Sequence, residues 1–178
     1  MASDDVKVSG LDFGVIIAFV APGFVALQAT SYYTSVTQAW MAAASDKDPG
    51  VGVFLFVLLG SLSMGLIVSG IRALLIDNLL RSHLLLRRFA IPPNKLDWSK
   101  VEEKNLLVLL TIRDGFYRHY QFYANTFVAV LLWSFSHAFA SGLQRQYWAL
   151  IAAVLCALFL SARSSLRQYV LAVNQVFK

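Results

Sequence analysis

Long apolar stretches alternate with short polar segments along this chain, and four of the stretches are candidates for crossing a membrane. A helix needs roughly 20 mostly apolar residues to span the hydrocarbon core. We place the predicted spans at about 11–33, 51–71, 120–142 and 147–162, and the last is short enough that it should extend past Arg163. The pattern predicts an all-α integral membrane protein with four transmembrane helices and helical extensions beyond the membrane. Residues 1–178 form a single four-helix membrane domain in this interpretation.

Breaks in the pattern predict where the spans bend or end. Pro22 and Gly23 lie near the middle of the first span, where a proline removes a backbone hydrogen bond, so we expect a kink. The cluster of turn-forming residues at 46–50 ends the loop before the second span. Beyond the second span, the leucine-rich stretch 73–89 is predicted to continue as a helix up to the proline pair at 92–93.

The segment 78–124 between the second and third spans is the only sizeable part outside the membrane. Ser99 and Glu102 have the spacing of a capping box, which predicts a helix from about Lys100. The apolar run 106–112 that follows either lies in the inner leaflet or packs against other helices, and a buried strand is the alternative. After the fourth span, apolar residues recur along one helical face up to Phe177. This tail is either an interfacial helix or a straight continuation of the span.

Positive charge is concentrated on one side of the four spans. Of the 15 Lys and Arg residues, only Lys47 and Arg145 fall on the other side, which leaves thirteen together. Basic segments stay in the cytoplasm when a protein inserts, so both termini and the segment 78–124 are predicted to be cytoplasmic. Eight of the thirteen lie within 78–124, which is more than orientation requires. We therefore expect this basic segment to carry function.

Composition supports a membrane protein and removes other classes. The chain is 58% hydrophobic and 14% charged, against roughly 45–50% and about 25% in average soluble domains. Anionic headgroups account for the basic pI, so we expect the lipid bilayer, and not nucleic acid, as a partner. The single cysteine, Cys156, excludes an internal disulfide and a zinc site built on cysteines. No cofactor or metal is expected. The small chain, rich in Ala and Leu, suggests a bacterial inner membrane.

Three groups of residues are candidate sites. The first is a set that binds a partner or an anion: Arg81, Arg87, Arg88, Lys95, Arg113, Arg118 and His119. The second is a ring of charges near the inner interface, where ionisable groups are costly unless paired: Asp12, Arg72, Asp77, Asp114 and Arg163. The third is a helix-contact stripe of small residues in the second span: Ser61, Gly65 and Ser69.

Each group has a structural and a functional interpretation. Arg72 is expected to pair with Asp12 or Asp77, and the ring either fixes the depth of the helices or acts as an inner gate or anion site. The stripe is a contact within one bundle or between subunits of a homo-oligomer. Polar residues inside the spans, including Asn125, Thr126 and His137, either bond between helices or serve a pore or a proton response.

Arg113 and His119 are separated by five residues. This spacing resembles the short Arg-x4-6-His signature of HEPN ribonucleases, which implies that the two side chains act together on a phosphodiester. The resemblance covers this motif alone, and the rest of the chain does not resemble a HEPN helical bundle. No other catalytic template occurs in the sequence, so we expect a protein that is not an enzyme.

Two functions agree with these features. The first is an oligomeric membrane protein that forms or gates a pore, as an effector that alters membrane permeability. It is supported by the small-residue stripe, by the polar residues of the third predicted span and by the lack of carboxylates in the central part of the spans. The second is a membrane sensor or anchor subunit that recruits a soluble cytosolic partner. It is supported by the basic segment 78–124 and by the apolar run within it.

Overall fold

All regular structure in the described part of the chain is helical. The structure, a computed structural model, describes residues 8–46, 50–77, 103–141 and 145–176. The α-helices within these ranges are α1 (Val8–Thr30), α2 (Ser35–Ala44), α3 (Val51–Arg72), α4 (Glu103–Ile112), α5 (Arg118–Ser141) and α6 (Arg145–Val176). The described ranges also contain two π-helical turns. The first, Ala73–Asp77, follows α3, and the second, Arg113–Tyr117, joins α4 to α5. The all-α prediction is confirmed for these residues.

Two helices are long and apolar enough to cross a membrane. They are Val51–Asp77, with 27 residues and a mean hydropathy of 2.5, and Tyr147–Val176, with 30 residues and a mean hydropathy of 2.0. Only 22% and 11% of their most apolar stretches are buried, whereas an apolar core helix of a soluble protein is mostly buried. A shorter apolar helix, Ile16–Thr30, lies within α1. These helices favour a membrane location.

The helix boundaries decide two questions that the sequence left open, the course of the tail and the conformation of the run 106–112. α6 runs without a break from Arg145 to Val176, so the tail after the fourth predicted span continues that span straight on. The apolar run 106–112 is helical and belongs to α4. Its Leu106 and Val108 are 50% and 43% exposed, so α4 keeps much of its apolar surface uncovered.

α2 is a helix that the apolar pattern does not reveal. Thr34 caps its first turn, because its hydroxyl accepts a hydrogen bond from the Thr37 amide. The helix is rich in alanine, the best helix former. Trp40 lies against Gly60 of α3, and its ring stacks on Phe56 at a centroid distance of 6.1 Å. α2 therefore lies against the first half of α3.

α1 is the helix against which the others assemble. It packs against α3 and against α5, and α6 packs against α5. A side chain at Gly23 would meet the Ser61 carbonyl oxygen at 1.7 Å, and one at Gly65 would meet the Phe19 carbonyl oxygen at 2.1 Å. Glycine is therefore required at both positions, since only a hydrogen in place of Cβ lets the two backbones come this close.

Pro22 changes a hydrogen bond and does not end α1. The helix is continuous from Val8 to Thr30, with Pro22 fully buried inside it. A proline has no amide hydrogen, so the carbonyl four residues earlier, at Ala18, loses its usual helical donor. Asn125 of α5 supplies the missing donor, since its Nδ2 lies 2.9 Å from the Ala18 carbonyl oxygen. The bond joins α1 to α5 in the core.

Candidate functional site

A buried arginine holds together the end of the bundle where α3 ends and α5 begins. Arg72 is 4% exposed, and its Nη1 lies 3.4 Å from Asp77 Oδ1. The Tyr120 hydroxyl donates a hydrogen bond to the same carboxylate oxygen. The Arg72 guanidinium also lies over the Tyr120 ring, 5.3 Å from its centroid. We call these three residues the clamp, and the end of the bundle that they occupy the basal end.

The clamp depends on the π-helical turn after α3. Arg72 and Asp77 are five residues apart, and in an α-helix this spacing places two side chains about 140° apart around the axis. In a π-helix the hydrogen bonds run from i to i+5, so residues five apart come close together. The turn Ala73–Asp77 therefore brings the carboxylate back beneath the guanidinium. It also buries Ile76 in the core.

The guanidinium of Arg72 has unused donor capacity. Its Nε and Nη1 atoms are buried and have no hydrogen-bond partner among the described residues. Removing a charge from water is costly, and attraction to one carboxylate offsets that cost only when the remaining donors are also satisfied. The ion pair therefore leaves Arg72 incompletely compensated, and the clamp is sensitive to any change in its own carboxylate.

Aromatic rings connect the clamp to α6. The Tyr117 ring lies 5.8 Å from the Tyr120 ring and 5.2 Å from the ring of Tyr169, which is on α6. Tyr120 is 1% exposed and belongs to the hydrophobic core, with Val68 and Ala124. The basal ends of α3, α5 and α6 are thus held by one continuous set of contacts.

A second ionic cluster lies beside the clamp in sequence and is more exposed. Asp114 Oδ1 accepts hydrogen bonds from Arg118 Nε at 3.0 Å and from Arg113 Nε at 3.2 Å. The Arg113 side chain is 45% exposed, so this pairing contributes little to stability. The ring of His119 bonds to the Gly115 carbonyl through Nδ1. Arg113 and His119, the residues with the HEPN-like spacing, thus each bond to another group.

The structure describes the side chains of only some members of the predicted charge ring. The structure places Arg72 beside Asp77, and Asp114 beside Arg113 and Arg118. Arg163 is exposed on α6, and the side chain of Asp12 lies outside the described part. The predicted binding residues Arg81, Arg87, Arg88 and Lys95 also lie outside the described residues.

Two of the three stripe residues lie against α1 of the same chain. Ser61 and Gly65 are buried where α3 crosses α1, and Ser69 is half-buried. The polar residues of the third predicted span also have partners within the chain. Asn125 bonds to Ala18, while Thr126 and Ser134 donate to backbone carbonyls of their own helix at 2.7 and 2.6 Å.

An aromatic group lies near the other end of α5. His137 Nδ1 is 2.9 Å from the hydroxyl oxygen of Tyr32, a residue that comes just after α1. The His137 ring also stacks on Trp133 with an interplanar angle of 2°. These contacts fasten α1 to α5 at the end opposite the clamp.

Sequence reasoning missed Tyr120, the aromatic member of the clamp, and the two tyrosines that connect it to α6. Tyr120 and Tyr117 belong to a dense aromatic stretch at 116–123, and Tyr169 lies in the tail after the fourth predicted span. Within the described ranges, no group of three or more His, Cys, Asp or Glu residues could hold a metal ion. Comparison with protein-family models, with curated proteins and with solved structures gives no match.

Proposed function

We propose that this chain is a sensor or anchor subunit of a bacterial inner membrane that recruits a soluble protein through its basic segment 78–124. It has four transmembrane helices, α1, α3, α5 and α6, and both termini face the cytoplasm. The observation that carries the proposal is the clamp. It joins Asp77, the last described residue before the basic segment, to Tyr120, which lies near the other end of that segment, in the first turn of α5.

The clamp links the basic segment to the membrane helices. A partner that pulls on the segment acts directly on Asp77, whose carboxylate holds both Arg72 and Tyr120. Because Arg72 is buried and incompletely bonded, movement of that carboxylate leaves a charge without compensation in the core. Binding outside the membrane and packing inside it are therefore energetically linked.

Charge defines the kind of partner. The segment 78–124 contains eight Lys and Arg residues but only four Asp and Glu residues. An acidic protein surface complements this excess, and such complementarity speeds association and weakens as salt is added. α4 also exposes apolar side chains, since Leu106 and Leu110 are 50% and 37% exposed. They offer a partner a hydrophobic contact in addition to the charges.

The pore hypothesis has less support. The residues that suggested a polar path, Asn125, Thr126 and Ser134, bond to backbone carbonyls within the chain. Ser61 and Gly65, which suggested a subunit contact, lie against α1. A pore would need another surface between copies, and the exposed apolar faces of α3 and α6 leave room for a homo-oligomer.

The experiment measures recruitment and permeability in the same cells. A photo-crosslinking residue is placed in the basic segment, and cross-linked soluble proteins are compared between wild type and the triple variant Arg87→Gln, Arg88→Gln, Lys95→Gln. We expect the yield to fall by about three- to a hundredfold, since each exposed pair contributes roughly 0.2 to 1 kcal/mol and every 1.4 kcal/mol is tenfold. The matched control neutralises Lys47 and Arg145, which lie on the opposite side, and should retain the full yield.

Membrane potential separates the two functions. A potential-sensitive dye should show no change when wild-type protein is produced. Depolarisation by the chain alone, unaltered in the triple variant, would establish a pore and defeat the recruitment proposal. A cross-linked partner that the triple variant retains at the same yield as the control would also defeat the recruitment proposal.

A further inference from the structure

The outer side of α6, which no other described helix covers, changes from apolar to cationic along its length. From Ala149 to Leu160 every exposed residue of this helix is apolar. The next exposed residues on the side that carries Leu160 are Arg163 and, one turn later, Arg167. In a helix that crosses a membrane, such a change occurs where the hydrocarbon ends and arginine reaches the headgroups. The arginine pair therefore marks the headgroup level on this side of α6.

Two measures of depth agree with this level. Arg163 lies 18 residues after Arg145 in the same helix, which is about 27 Å, close to the roughly 30 Å of the hydrocarbon core. Tyr169, two residues beyond the pair, contacts Tyr117 beside the clamp. The clamp contains Arg72, the last of the 22 residues of α3, a helix about 33 Å long. Both estimates place the pair at the inner surface of the membrane.

The two arginines are arranged to act on one anion. Residues four apart in an α-helix lie on the same face, with Cβ atoms roughly 5 to 6 Å apart, and like charges at this spacing repel each other. Arg113 and Arg118 share the carboxylate of Asp114, but no Asp or Glu occurs in the sequence after that residue. α6 thus has no carboxylate of its own for Arg163 and Arg167. An anion from outside the helix would offset their repulsion.

We propose that Arg163 and Arg167 bind the phosphate group of an anionic phospholipid in the inner leaflet. Their guanidinium groups donate hydrogen bonds to the phosphodiester oxygens, which match the forked geometry of arginine donors. The acyl chains lie along the apolar surface that ends at Leu160. A zwitterionic headgroup fits less well, because its ammonium group cancels the negative charge. Orientation requires basic residues on this side of the membrane, but it does not require two on one face of a helix.

The test measures lipid binding to the purified full-length chain in an uncharged detergent. Dioleoyl phosphatidylglycerol is anionic, and dioleoyl phosphatidylcholine has the same acyl chains with no net charge. Native mass spectrometry measures the bound fraction of each lipid against its concentration. Each basic residue near an anionic surface contributes about fivefold. We therefore expect the double variant Arg163→Gln, Arg167→Gln to bind phosphatidylglycerol roughly thirtyfold more weakly, and to bind phosphatidylcholine as wild type does.

A charge-matched control makes the result specific. Lys47→Gln, Arg145→Gln also removes two positive charges, from the opposite side in the predicted topology, and should bind both lipids as wild type does. Equal loss of phosphatidylglycerol in the two double variants overturns the proposal, because net charge alone would then govern binding. Equal loss of both lipids in Arg163→Gln, Arg167→Gln overturns it too, since the pair would not distinguish headgroups.

Inorganic phosphate tests the other source of the same chemistry. It should not displace phosphatidylglycerol at equal concentration, because the apolar surface of α6 holds only a ligand with acyl chains. Displacement would assign the pair to a soluble anion and overturn the proposal. The inference rests on the proposed membrane insertion and is independent of recruitment. Recruitment is measured in cells with a variant that keeps both arginines, so the two proposals fail separately.

Discussion

Asn125 donates a hydrogen bond to the carbonyl of Ala18, which Pro22 has left without a helical donor, and the two atoms are 2.9 Å apart. In the proposed membrane setting bulk water does not reach such a carbonyl, and a side chain of a neighbouring helix is one way to satisfy it. Asn125 is 0% exposed and fills this role. A residue that looks like a candidate for a polar pathway therefore completes the backbone of another helix.

Replacing Asn125 with Ala should destabilise the protein by about 1 kcal/mol, since interhelical hydrogen bonds in membranes contribute roughly 0.6 to 1.7 kcal/mol. Reversible unfolding in mixed micelles measures the change. Pro22→Ala restores the amide that bonds to Ala18, so in that background the loss of Asn125 should cost less. Thr126→Ala, which removes a bond within α5 only, is the control. Equal costs of Asn125→Ala in both backgrounds would contradict this account.

Gly65→Ala should destabilise the α1–α3 contact by about 1 to 3 kcal/mol or more, because the added Cβ falls 2.1 Å from the Phe19 carbonyl oxygen. The rigid backbone cannot move aside without separating the helices. Gly70→Ala is the matched control, since a Cβ at that position of the same helix meets nothing within 4 Å. Thermal unfolding midpoints compare the two, and similar midpoints would show that the close contact does not form.

Asp77→Asn should destabilise the basal end by about 2 to 4 kcal/mol, because it leaves the buried charge of Arg72 without a counter-charge. Arg72→Met in the same chain removes that charge, so the double variant should recover part of the loss. Arg113→Gln, at a side chain that is 45% exposed, should cost less than about 1 kcal/mol. Unfolding free energies test the order, and a double variant less stable than Asp77→Asn would refute the clamp.

Labelling of single cysteines tests the four spans and their orientation. Cys156→Ser removes the native thiol, and Asp46→Cys or Gln168→Cys then adds one at an exposed position. A maleimide that cannot cross the membrane should label Asp46→Cys in intact spheroplasts and label Gln168→Cys only after permeabilisation. Labelling of both from outside, or of Gln168→Cys alone, would rule out cytoplasmic termini joined by four spans.

The sequence predicts the helices more fully than their contacts. Apolar runs and charge placement predict elements that match α1, α3, α5 and α6, because a long helix needs only local composition and hydrogen bonds within itself. α2 escapes prediction because its ten residues follow the first apolar stretch without any charged residue between them. The π-helical turn Ala73–Asp77 escapes for another reason, since the burial of Ile76 and the pairing of Arg72 with Asp77 that accompany it depend on contacts with distant parts of the chain.

The candidate site is predictable only in part. Burial cost suggests that Arg72 needs an acidic partner, and Asp77 is one of the two that were expected. Tyr120 could not be assigned, because nothing local to position 120 indicates that its hydroxyl reaches Asp77, 43 residues away in sequence. Likewise, the small residues Ser61 and Gly65 predict a close helix contact but not which helix provides it.

The Ala18 carbonyl is synthesised well before the side chain that bonds to it. Its partner Asn125 lies 107 residues later in the chain, and ribosomes add roughly 5 to 20 residues each second. For about 5 to 20 seconds, therefore, the first helix exists without the side chain that completes it. In the proposed membrane setting, α1 and α3 enter as a pair with one carbonyl still unsatisfied. The arrival of α5 ends that interval, so the first helix of the chain is complete only after the fifth has been made.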